Sequence, residues 1–110
     1  MWQSFSVYLD RHTPGWRTRP LQDVNARLAH LGSLTLRRSY RPELLVTMVP
    51  VVLAYKPGQV VFFSDHDRQV MAVASYIYVR YGVTADPEDH TVSIGRHGVV
   101  PAGLLEVRID

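Results

Sequence analysis

The chain of 110 residues has no cysteine, and lysine supplies only one of its twelve basic side chains. Without thiols there is no disulfide framework, no thiolate metal site and no cysteine nucleophile, which removes zinc ribbons and cysteine hydrolases together. No uninterrupted apolar run reaches the roughly 18 residues that a membrane span needs. The segment MWQSFSVYLD lacks the basic and long apolar regions of a signal peptide, so a soluble, cytoplasmic protein without membrane contact is expected. The five histidines, His12, His30, His66, His90 and His97, show neither H-x-H nor HExxH spacing. The serines have no GxSxG context. Catalytic and metal motifs are therefore scarce, no cofactor is expected, and a non-enzymatic role is favoured.

What is present is an ordinary globular composition, 46% hydrophobic and 20% charged, in a length that suits one domain over residues 1–110. The net charge of +2 is unevenly spread. Residues 1–42 hold seven arginines against Asp10 and Asp23, a balance of +5, whereas residues 43–110 hold five basic and eight acidic side chains, a balance of −3. Such asymmetry fits an anionic partner for the first half, or pairing of the two halves within the fold. Arginine is the better bidentate donor to carboxylate and phosphate, so the arginine bias suits an acidic protein surface or a nucleic acid.

Hydrophobic periodicity gives an outline of the fold. Phe5, Val7 and Leu9 alternate and predict a strand ending at Asp10. Pro14-Gly15 predicts a turn. Leu21, Val24, Leu28 and Leu31 recur at helical spacing between Pro20 and Gly32. A strand follows over residues 33–40. Residues 43–55 read as strand, with a helix as the alternative, and Lys56-Pro57-Gly58-Gln59 reads as a hairpin turn joining 51–55 to 60–63. Ser64 or Asp65 would cap a second, strongly apolar helix reaching Tyr81, and two strands at 90–94 and 104–109 would flank the turn Gly95-Arg96-His97-Gly98.

The expected fold is therefore α+β: a mixed, largely antiparallel sheet of about five strands covered by two helices, an order that resembles ferredoxin-like domains. A helix at 43–55 would give a three-layer α/β fold instead.

Three groups of residues could carry function. Arg11, Trp16, Arg17 and Arg19, in the stretch RHTPGWRTRP, combine cations with an aromatic face, and Arg37, Arg38 and Arg41 could extend them along a sheet edge. This arginine-rich edge would dock on a protein or nucleoprotein partner, or bind RNA or DNA directly. Tyr76 and Tyr78 widen the second helix beyond one core face and suit an interface, a homodimer included. Finally, VYLD and the later GQVVFFSDHDR resemble the first-strand aspartate and Ser-x-Asp-x-Asp element of NYN and PIN-like ribonucleases. That resemblance implies Mg²⁺ held by Asp10, Asp65 and Asp67 in a parallel α/β fold, with phosphodiester cleavage as the activity.

Overall fold

Phe5, Tyr8 and Leu9 are spaced as one turn of a helix, and all three are buried while Val7 is exposed. The expected first strand is accordingly helix α1, Phe5–His12, in a computed structural model that describes residues 1–109. Phe5 and Leu9 fit both periods; Tyr8 decides between them, because a strand would turn it to the opposite face from Phe5. The short strand β1, Trp2–Ser4, runs directly into α1. Thr13 closes the helix with its N–H and its hydroxyl both donated to the Leu9 carbonyl, at 2.8 and 3.0 Å.

Helix α2, Leu21–Leu31, forms as expected between Pro20 and Gly32, whose φ of 88° provides a left-handed stop. Residues 43–55, for which the sequence leaves strand and helix open, contain strand at 43–48 and 51–53 and no helix. The strands are β2, Leu34–Arg38; β3, Arg41–Met48; β4, Val51–Leu53; β5, Val61–Ser64; β6, Gln69–Ala72; β7, Thr91–Ser93; β8, Val99–Pro101; and β9, Leu105–Arg108, with helix α3, Val73–Tyr81, between β6 and β7. A fold of α+β class is thus present, with three helices and nine strands among the described residues. The strands form three antiparallel sheets, β1-β9-β2-β3, β4-β7-β8 and β5-β6. This differs from the single sheet with two helices expected from sequence. The absence of parallel pairing among the described residues also corrects the three-layer α/β alternative.

Two further differences follow, one from long-range pairing and one from a local turn. The turn at Lys56–Gln59 forms, with the Gln59 N–H donated to the Lys56 carbonyl at 2.9 Å. Its two arms nevertheless do not pair with each other. Val52 is buried in the main core, and β4 pairs with β7, where the Thr91 N–H and hydroxyl both reach the Tyr55 carbonyl. β5 pairs instead with β6. Asp65 caps no helix: Ser64 donates its hydroxyl to Asp67 at 2.9 Å and accepts the Asp67 N–H, closing a tight turn in which Arg68 takes a φ of 55°. Short polar side chains that bond the local backbone favour such turns over helix.

The main core lies between the inner face of the four-stranded sheet, the three-stranded sheet and helices α1 and α2. Leu36, Leu105 and Val107 meet Phe5, Leu9, Trp16, Val24, Leu28, Val52, Val92, Ile94 and Val100 there, all almost fully buried. Asn25 joins α2 to the edge strand β4. Its amide donates to the Val52 carbonyl at 2.9 Å and accepts the Val52 N–H at 2.7 Å, substituting for a neighbouring strand. Residues 56–89 form an arm outside this core, in which the β5–β6 hairpin leaves Val61, Phe63 and Val70 more than half exposed. No helix among the described residues is long and apolar enough to cross a membrane.

Candidate partner-docking site

The loop RHTPGWRTRP folds onto itself. Gly15, at a φ of 74°, reverses the chain, and Trp16 begins a single 3-10 turn with only 1% of its surface exposed. One oxygen of Asp10 accepts both the Trp16 indole N–H at 2.9 Å and the Arg17 guanidinium at 3.0 Å. Arg17 also lies over the indole, 4.4 Å from its centroid, and His90 packs edge-on to the same ring at 4.9 Å. Trp16 therefore has no free face for a base, and Arg17 is partnered. Arg11 and Arg19 are exposed and make no ion pair among the described residues.

Asp10 is thus committed to Trp16 and Arg17, and Asp67 to Ser64. Among the described residues no group of three or more histidines or carboxylates is placed to hold a metal ion. The arrangement that the ribonuclease resemblance implies is not found: Asp10 lies in helix α1 rather than at a strand end, Asp65 and Asp67 lie in a hairpin turn, and the strand pairing is antiparallel.

The arginines of β2 part company at a bulge. Arg37 projects from the outer sheet face, where it pairs with Glu106 at 2.8 Å and stacks on Trp2 at 4.0 Å; Arg108 approaches the same ring at 5.4 Å. The register then shifts between Arg37 and Arg38. Such an irregularity re-aims side chains, and Arg38 lines a cleft beside the arm. The nominated arginines therefore do not form one continuous edge.

Arg38 and Arg41 meet aromatic residues instead. Tyr40, in the β2–β3 turn, lies 4.8 Å from Tyr81 of α3; Tyr81 is 6.2 Å from Tyr76, and Tyr76 meets Phe62 of β5 edge-on at 5.1 Å. Arg80 lies 6.0 Å from the Tyr76 ring. Arg41 pairs with Glu43 at 3.3 Å, while Arg38 and Arg80 make no ion pair among the described residues. Around these rings lie Arg38, Arg41 and Arg80, of which only Arg41 has a carboxylate partner among the described residues. Burial pushes the Tyr40 phenol up to about 12, with Arg38 opposing and Tyr81 and Tyr76 reinforcing the shift. The neighbouring Tyr81 hydroxyl, with Glu43 adding to it, raises the pKa of Arg41. The backbone N–H of Glu43, together with Arg41, lowers that of the exposed Glu43 carboxyl.

Beside this corner lies a cleft of about 410 Å³, walled by Val60, Val73, Ile77 and Val99 and by the Phe62 ring. Its polar lining consists of Arg38, Tyr40, Tyr76 and His97. Tyr78 is elsewhere. Two residues from Tyr76 and so about 200° around the helix, it is exposed on the outer face of α3 beside Ala74 and Val79. The two nominated tyrosines therefore serve different surfaces. Tyr40, Phe62 and Arg80 were not nominated from sequence. Tyr40 had a readable signal, an aromatic ring enclosed by arginines in RRSYR; the others become neighbours only through long-range folding.

Neither a protein-family model nor a curated protein matches this chain.

Proposed function

We propose that the protein is a small non-enzymatic binding module that docks on an acidic segment of a partner protein through the Tyr40–Tyr81–Tyr76–Phe62 corner and its arginines. The observation that carries the reading is that Arg38 and Arg80, both without an ion-pair partner among the described residues, border an interlocked aromatic cluster. Tyrosine and arginine are the residues on which interfaces most often concentrate binding energy. The excess of guanidinium over carboxylate selects an acidic partner and speeds its approach. Val61, more than half exposed and lining the adjoining cleft, supplies apolar area beside the charges.

Of the arginine-rich edge, Arg38 and Arg41 remain in this reading. Arg17 and Arg37 have internal partners, and Trp16 is buried, which weighs against direct stacking on RNA or DNA. The test is purification of the native complex from source cells with tagged wild type and with the double variant Arg38→Glu, Arg80→Glu. A partner that co-purifies with wild type and is lost at least about tenfold with the variant supports the proposal, provided the variant's thermal unfolding is unchanged. Retention of the partner by the double variant would contradict it.

A further inference from the structure

We propose that the cleft beside Arg38 is a binding site for a small amphiphilic carboxylate, with the apolar body between the arm and the β8 region and the carboxylate on Arg38. Its volume of about 410 Å³ lies within the range of roughly 300–1,000 Å³ typical of small-molecule sites, which are mostly apolar with a few converging polar groups. Those features are present together here. Val60, Val73, Ile77 and Val99 give an apolar interior, and Phe62 and Tyr76 meet edge-on along one side.

Among the described residues, Arg38 is the one formally charged side chain in the lining. Arg38 and His97 are basic, Tyr40 and Tyr76 are phenols, and no carboxylate lines the cleft. Arg38 has no ion pair among the described residues, so its guanidinium fork is available to a planar, two-oxygen acceptor. Tyr40 adds a neutral hydroxyl donor. A cationic ligand would face Arg38 with no compensating charge, and an uncharged one would leave the fork unused.

The inference goes beyond the docking proposal, because it concerns the isolated protein and is read without any partner. It also links the two, since Arg38, Tyr40, Tyr76 and Phe62 belong to both surfaces. An occupied cleft would remove Arg38 from the docking corner.

The test is a titration of ¹⁵N-labelled protein with octanoate, octan-1-ol and octylamine, followed by amide and arginine Nε chemical shifts. Octanoate is expected to shift Val60, Ile77, Gly98 and the Arg38 Nε, and to bind at least about tenfold more tightly than the alcohol or the amine. Arg38→Gln should reduce octanoate affinity by a similar factor while leaving the remaining spectrum intact. Equal binding of all three probes, shifts located away from the cleft, unchanged affinity in Arg38→Gln, or no octanoate binding at millimolar concentration would each overturn the inference. Octanoate binding by a protein that fails to retain a partner would leave this inference standing and remove only the docking proposal.

Discussion

Asp10 ties the loop after α1 together, because a single carboxylate oxygen accepts from both Trp16 and Arg17. Replacing Asp10 with Ala strips the buried indole N–H of its acceptor and frees Arg17. A destabilisation of about 1–3 kcal/mol is expected in urea unfolding. An unchanged midpoint would mean that the loop does not depend on this acceptor. Tyr40 gives a pH prediction. Its hydroxyl titrates near 10 in an unfolded chain and near 12 in the fold, so the folded state favours the protonated form. That contribution is fully present below pH 10 and is lost as pH rises through about 12. Tyr40→Phe should therefore flatten the fall in stability between these values, measured by unfolding at a series of alkaline pH values; an unchanged fall would contradict it. At this scale the sequence was partly legible. Trp16 and its arginines stood out, but whether the indole faced solvent or core depended on His90, more than seventy residues away.

Among the elements, Asn25 acts as a surrogate strand for β4. Asn25→Leu leaves the Val52 N–H and carbonyl without this partner and should cost about 2 kcal/mol or more in denaturant unfolding, whereas a cost below about 0.5 kcal/mol would refute the clamp. The β5–β6 ribbon has two strands, and three of the four residues in β5 are exposed. Isolated two-stranded ribbons are marginal, so its amides should exchange with solvent orders of magnitude faster than those of β9, which is paired on both sides. Comparable protection in an exchange experiment would contradict this. α2 was legible because Leu21, Val24, Leu28 and Leu31 fit only the helical period. α1 was not, because Phe5 and Leu9 fit both periods. Helix α3 has Ala72 as its N-cap rather than the expected Ser64 or Asp65, because local side-chain bonds in Ser64–Asp67 closed a turn that Gln69–Ala72 could extend as a strand.

Over the whole molecule, the excess of arginine in residues 1–42 is divided among separate surfaces. Arg37–Glu106 joins the two halves of the chain, and Arg17–Asp10 lies within the first. Of the rest, Arg11, Arg19, Arg27 and Arg38 make no ion pair among the described residues, Arg38 lying at the aromatic corner that Arg80 also borders. The α+β class was legible from alternating segments. The three sheets were not, because β9 pairs with both β1 and β2 across most of the chain length, and no local pattern specifies such partners. For the same reason Tyr40 and Tyr81 could not be joined from sequence. The most direct test of the docking account is photo-crosslinking in source cells, with the crosslinking side chain placed either at Val61, beside the aromatic corner, or at Arg19, in the outlying basic loop. The account predicts a protein adduct at Val61 that maps to an acidic segment and is several-fold more abundant than any adduct at Arg19. Adducts concentrated at Arg19, or nucleic acid as the captured species, would contradict it.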